Sequence, residues 1–267
     1  MNNKYKIAIV MITLNEPYWQ FIKPCVDSLR KFLLKGHDLD FIVWTDIPEE
    51  RSKELNVKVI PTEPFAWPLP TLYRYHLFLR QEELLKEYDF LLYCDTDMRA
   101  VSRIGDEILG EGLTAAVHPM YYIRKEYQPP YEPNEKSVSY IPRPGRVIEE
   151  NGKKRFQPLY FAGGFQGGRS ENFIKAMKEM KSMVDTDFTD NGYIPIWNDE
   201  SVWNAYLFKN PPSVVLNPSY IYPDSLNKVY YRPLWGRNYV PKLITLTKPF
   251  SLTREGGANL QQMLKTI

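Results

Sequence analysis

Two periods of apolar residues run through the first hundred positions. Residues 6–13, Lys6-Ile-Ala-Ile-Val-Met-Ile-Thr13, and residues 90–94, Phe90 to Cys94, are near-continuous apolar runs of strand length, the pattern of strands buried on both faces. Between them Phe21, Cys25, Leu29 and Phe32 recur at helical spacing, which predicts a helix over 18–34 that Gly36 closes. Residues 39–45 and 57–60 read as two further strands, and 71–87 as a second long helix entering the strand at 90. Strand and helix alternate, so the expected fold class is α/β, a mostly parallel sheet flanked by helices that binds ligands at the carboxyl ends of its strands. A chain of 267 residues can build this as one domain.

The character changes beyond Thr114-Ala-Ala-Val-His118. Residues 121–160 are rich in Tyr, Pro and charge, with Pro129, Pro130, Pro133, Pro142 and Pro144, and read as an irregular insertion serving as a lid or an acceptor surface. Within it Lys153-Lys154-Arg155 stands beside Glu149 and Glu150, the mix of a solvated loop rather than a polyanion site. Next comes Phe161-Ala-Gly-Gly-Phe-Gln-Gly-Gly168, four glycines within six positions. It lacks dinucleotide-fingerprint spacing and reads either as backbone that approaches a ligand or packed helix, or as a glycine-rich bulge. Phe173, Met177 and Met180 mark a helix after it, and Trp197-Asn-Asp-Glu-Ser201 opens another.

Composition removes several functional classes. A net charge of +2 without a concentrated basic stripe is no nucleic-acid footprint. Cys25 and Cys94 are the only cysteines and fall in apolar surroundings, so a disulfide framework is not expected and a reducing compartment is. Neither a signal peptide nor a transmembrane run precedes the first strand, and the expectation is a soluble, cytoplasmic protein with no membrane anchor.

The chemistry centres on Asp95-Thr-Asp97, where the apolar run at 90–94 ends in two carboxylates. Such a pair suits a hard cation, Mn²⁺ or Mg²⁺, whose remaining positions are left to phosphate oxygens. The same pair also occurs as plain turn chemistry. Asp199 and Glu200, beside Trp197, fit a helix cap, and equally a sugar site with an indole face and a reactive carboxylate.

Taken together the motifs resemble glycosyltransferase family 6, which includes the histo-blood-group A and B transferases. The ordered resemblance runs through Tyr18, Lys35-Gly36-His37, Thr45-Asp46, Tyr88 to Met98, His118-Pro119, Tyr131-Glu132, Ser137, Tyr140-Ile-Pro142, Tyr160 to Gly168, Trp197 to Ser201, and Asn217-Pro218 with Tyr220. It implies one GT-A catalytic domain over 1–267, with residues 245–267 as a mobile tail closing on phosphate. The implied reaction moves GalNAc or Gal from a UDP-sugar to the 3-hydroxyl of a galactose-type acceptor, fucosylated or plain, with retention of configuration. By the resemblance Asp95 and Asp97 hold Mn²⁺, with Mg²⁺ as the alternative. Tyr18 stacks on uracil, Thr13 and Asn15 meet its edge, and Lys248 with Arg254 closes on the diphosphate. Glu200 and Arg74 are the catalytic residues, Arg74 contacting Asp95 and the donor sugar, Asp199 contacts the donor sugar and orients Arg74, and His118, Trp197, Glu200 and Asp224 face the acceptor. The wall at Ala162, Gly163 and Gly164 governs donor choice, and its small residues favour UDP-GalNAc. Asn198 and Met120 depart from the animal pattern beside the acceptor. The competing readings are another Asp-x-Asp transferase, a non-catalytic UDP-sugar or glycan-binding protein, and a phosphohydrolase, for which three histidines offer few metal ligands.

Overall fold

The computed structural model describes residues 4–120, 129–142, 159–224 and 240–248, with the backbone of 146–150 and 153–157. A seven-stranded sheet runs through the centre. Its members are β1 (Lys6–Thr13), β2 (Asp38–Thr45), β3 (Lys58–Pro61), β4 (Phe90–Cys94), β6 (Leu113–Val117), β9 (Phe161–Arg169) and β10 (Val214–Leu216), in the order β10-β6-β9-β4-β1-β2-β3. β1 pairs in parallel with β2 and β4, β2 with β3, and β6 with β10. Only β9 runs against its neighbours, β4 and β6. The three short strands β5 (Met98–Ala100), β11 (Tyr222–Pro223) and β12 (Leu243–Thr245) form a small second sheet.

Side-chain alternation along the strands divides the core in two. Ile7, Ile9, Met11, Leu92 and Cys94 face helix α1 (Glu16–Phe32) and its Ile22, Cys25, Val26 and Leu29. Ala8, Val10, Trp44, Leu91 and Tyr93 point the other way. They meet Tyr75 and Phe78 of a segmented helical stretch, Phe173 and Met177 of Ser170–Val184, and Trp203 of Asp199–Lys209. That segmented stretch corrects the expected helix over 71–87: it contains α3 (Leu69–Leu72), α4 (Arg74–Leu79) and α5 (Glu82–Leu85), following the short α2 (Glu49–Ser52). Tyr73 (φ −92°, ψ 11°) and Gln81 (φ −115°, ψ 30°) leave the α region and break the ladder. The break after Tyr73 turns Arg74 inward, where it is 3% exposed.

The insertion is more ordered than its prolines suggest. Arg146–Glu150 (β7) and Lys153–Gln157 (β8) form an antiparallel hairpin, with Glu149 opposite Lys154 and Glu150 opposite Lys153 in register. The glycine-rich run is the interior strand β9, and its pairing with β6 shifts register between Ala115–Gln166 and Val117–Phe161, so the irregularity expected of the run falls within 161–166. A Cβ at Gly167 would lie 2.2 Å from the Leu91 carbonyl oxygen, so the close approach inferred for this run is to a neighbouring strand at that position. The helices Ser170–Val184 and Asp199–Lys209 are α6 and α7.

Candidate active site

Topology brings the chemistry to one edge. The carboxyl ends of β1, β4 and β6 lie together, and because β9 is antiparallel its amino end, residues 161–164, joins them. Asp95 follows β4, and its N–H donates to the Gly164 carbonyl at 2.9 Å. The His118 N–H, after β6, donates to the Tyr160 carbonyl at 2.7 Å. α7 opens at the same edge, its Asn204 bonded to both backbone groups of Phe161. The cleft so formed has a volume of about 310 Å³.

Arg74 organises the polar side. Its Nη1 donates to the Gly163 carbonyl at 3.1 Å and pairs with Asp199 Oδ2 at 3.0 Å, its Nη2 lies 3.8 Å from Asp95 Oδ1, and its guanidinium lies 4.1 Å from the Tyr93 ring centroid. Burial opposes the charge, but Asp199, Tyr93 and Asp95 outweigh it and raise the arginine above its ordinary value. The Tyr93 hydroxyl donates to Asp95 Oδ1. Asp199 is pushed up to about 6 by burial, against the pull of Arg74.

Glu200 stands next to this group. Its Oε2 accepts the Gly163 N–H at 2.7 Å, and its carboxyl is pushed up to about 7, chiefly by burial, with the Gly163 amide and the Tyr160 hydroxyl opposing the shift. The two glycines are fitted to these acids. A Cβ at Gly163 would lie 3.0 Å from Asp199 Oδ2, and one at Gly164 would lie 2.8 Å from Asp95 Oδ2.

The Asp-x-Asp pair already attracts a cation of the chain's own. Lys248 Nζ lies 2.9 Å from Asp97 Oδ2 and 5.8 Å from the Tyr18 ring centroid. Its backbone is fixed nearby, because the Leu246 N–H donates to the Asp97 carbonyl and Thr247 donates its N–H and hydroxyl to Asp224. Asp97 is 5% exposed, and its carboxyl is raised by burial against the pull of Lys248. Two carboxylates, one of them already holding an ammonium, fit Mn²⁺ or Mg²⁺, provided further oxygens come from a bound substrate. Among the described residues no group of three or more His, Cys, Asp or Glu could hold a metal alone.

Of the residues singled out in the sequence, Thr13, Asn15, Tyr18, Arg74, Asp95, Asp97, Gly163, Gly164, Trp197, Asp199, Glu200 and Lys248 all line this cleft. Asn15 is already committed on two sides, its N–H to Asp46 and its amide to the Phe65 carbonyl. Ala162, 4% exposed, packs beneath the wall in the core. Asp224 does not line the cleft and instead holds Thr247. His118 stands behind Tyr160, their ring centroids 6.0 Å apart, and burial lowers it to about 4. Arg254 and the expected mobile tail from 249 onward lie outside the described residues, while Thr245 belongs to β12 and Thr247 is bonded to Asp224. Individual roles for Tyr93, Gln166 and Thr71 escaped the sequence reading. Gln166 bonds the Gly163 carbonyl, and Thr71, which lines the cleft, opposes the rise of the Asp199 carboxyl. Only the alternation within 90–94, which turns Tyr93 away from Leu92 and Cys94, hinted at the first.

An open α/β sheet with paired acids at a strand end, facing a carboxylate-tipped helix and a glycine wall, has the architecture of a GT-A glycosyltransferase. The model of Glycosyltransferase family 6 matches residues 2–231, and the chain belongs to that family. It is 27% identical over 239 residues to the rat histo-blood group ABO system transferase 1, covering 85% of this chain and 65% of that protein. Identity is 26% over 215 residues to the human globoside alpha-1,3-N-acetylgalactosaminyltransferase 1, 78% of this chain and 58% of that one. The Escherichia coli O-antigen biosynthesis glycosyltransferase WbnI is 28% identical over 198 residues, 74% of this chain and 75% of its own. The chain therefore spans less than two thirds of these two animal relatives. No helix among the described residues is long and apolar enough to cross a membrane.

Proposed function

We propose that the protein transfers GalNAc, and less readily Gal, from a UDP-sugar to the 3-hydroxyl of a galactose-type acceptor, with retention and with Mn²⁺ as cofactor. The observation that carries this reading is Glu200, held by the Gly163 N–H at 2.7 Å in the cleft that also holds Asp95 and Asp97. The human relative's name gives alpha-1,3 transfer of N-acetylgalactosamine for that protein, and the rat relative is named as a histo-blood group transferase.

Asp95 and Asp97 would hold the cation against the donor diphosphate, where it offsets the charge that gathers on UDP as the glycosidic bond breaks. Tyr18 offers a ring face to the base, and Lys248 moves from Asp97 onto the phosphates as a charge-assisted donor. Arg74, fixed by Asp199 and the Gly163 carbonyl, reaches the donor sugar from a preorganised position. Glu200 meets the anomeric carbon from the face opposite UDP. A covalent glycosyl intermediate on Glu200 and a same-face attack steadied by its negative charge both retain configuration, and mass spectrometry of enzyme quenched with donor distinguishes them. Trp197, 47% exposed, offers an indole face to the apolar side of the acceptor ring. The preference for GalNAc follows from the family resemblance at this wall, where Gly163 and Gly164 let Asp199 and Asp95 close against the strand.

The test is UDP release from UDP-GalNAc and UDP-Gal, with and without a fucosylated galactoside. Acceptor-stimulated release, faster with UDP-GalNAc and abolished by chelation, is expected. A binding protein would retain UDP-sugar without turning it over.

A further inference from the structure

Ile196 and Trp197 are 51% and 47% exposed, yet the turn carrying them is anchored from beneath by a carboxylate that the reaction does not use. Glu132 is 2% exposed. Its Oε2 accepts the Ile196 N–H at 2.7 Å, and its Oε1 accepts the Tyr193 hydroxyl at 2.6 Å and the Asn134 N–H at 2.9 Å. All three donors are neutral, so the buried carboxylate is tolerated only while each of them stays in place. A second buried acid, Asp187, accepts the Ser137 hydroxyl at 2.6 Å and the Val138 N–H at 3.0 Å, while its carbonyl accepts the Tyr193 N–H at 2.8 Å. The chain at 132–138 is thereby strapped to 187–196 at two points, and Glu132 fixes the end that adjoins Trp197.

The turn beyond that point is strained. Asn198 adopts φ 50° and ψ −124°, a region that residues with a side chain seldom enter. It is held on the far side by α7, through the bonds from Trp197 N–H to Ser201 Oγ at 3.1 Å and from Glu200 N–H to the Trp197 carbonyl at 3.0 Å. On the near side the Asn198 N–H donates to the Pro195 carbonyl at 2.8 Å, and the side chain that holds the turn is Glu132.

We propose that Glu132 is a positioning residue for the acceptor: by fixing Ile196 it sets the height and tilt of the Trp197 indole at the mouth of the cleft. The inference rests on the acceptor role given to Trp197 above. Asp95, Asp97, Tyr18 and Lys248 hang from other elements, and Asp199 and Glu200, which adjoin the turn, are held separately by Arg74 and by the Gly163 N–H, so loosening the turn leaves the donor side in place. Glu132→Gln places an amide among three donors, and Tyr193→Phe is a gentler variant that removes one donor and keeps the acid. The experiment varies a galactoside acceptor with UDP-GalNAc, measures UDP release to water without acceptor, and follows amide exchange over residues 193–198. Acceptor KM is expected to rise on the order of tenfold in Glu132→Gln and about threefold in Tyr193→Phe. Donor KM and the rate of release to water stay unchanged, and the Ile196 amide exchanges faster. An unchanged acceptor KM, or a donor KM that rises in step with it, would overturn the positioning role. If the native enzyme shows no stimulation by any galactoside, the acceptor reading itself fails and this proposal falls with it.

Discussion

Replacing Glu200 with glutamine separates the chemistry of the site from its stability. Burial lifts this carboxyl from the ordinary 4.5 to about 7, so the folded chain holds the proton more tightly than the unfolded chain does. Stability linked to the group is complete below about pH 4.5 and is lost as pH rises through 7. A shift of that size corresponds to about 3 kcal/mol at most, and since the residue is only half-buried at the cleft floor, about 2 kcal/mol is the working figure. Glutamine keeps an oxygen for the Gly163 N–H and carries no charge. Glu200→Gln should therefore unfold roughly 5 °C above the native protein at pH 8, and at nearly the same temperature at pH 4.5. The same variant should bind UDP with native affinity and lose sugar transfer. Calorimetry across pH 4.5 to 8, paired with a UDP-release assay, checks both arms. A Tm difference that ignores pH would refute the burial argument, and a variant that still transfers sugar would remove Glu200 from the reaction.

The remaining expectations concern its neighbours. Arg74→Ala leaves Asp199 buried without its cation and should destabilise the fold by about 3–5 kcal/mol, read by chemical denaturation, whereas Arg74→Lys should fold and lose most transfer because one ammonium cannot reach Asp199, Asp95 and the Gly163 carbonyl together. Gly164→Ala sets a methyl group 2.8 Å from Asp95 Oδ2, and should shift donor preference toward UDP-Gal while weakening Mn²⁺ binding, measured by titration and by paired donor kinetics. Lys248→Ala frees Asp97 of its ammonium, so Mn²⁺ should bind more tightly without donor while UDP binds more weakly. The rate at low substrate should climb as pH rises through about 7 with Glu200, and a profile set instead by His118 would break near its value of about 4.

The half of the chain that obeys simple periodicity was legible. Apolar runs at 6–13 and 90–94 became β1 and β4, and the helical spacing of Phe21, Cys25 and Leu29 became α1, because burial there coincides with local preference. The stretch 71–87 departed from its pattern where function intrudes: a charged Arg74 is turned into the core, and the helix breaks beside it. Glycine weakens a strand locally, so β9 was hidden until its neighbours gave the close spacing a reason. The hairpin at 146–157 is set by cross-strand register, which no local propensity encodes. Glu132 belonged to a recognisable motif, but its role depends on Tyr193 and Ile196, more than sixty residues away.

The central claim, that Glu200 and the Asp95–Asp97 pair act together on a UDP-sugar, is tested most directly by UDP release from UDP-GalNAc with a fucosylated galactoside, with Mn²⁺ and then with excess EDTA, in native protein and in Glu200→Gln. The account predicts acceptor-stimulated release that EDTA abolishes and the variant lacks. Release that survives EDTA would detach Asp95 and Asp97 from metal chemistry, and full release by the variant would contradict the catalytic role assigned to Glu200.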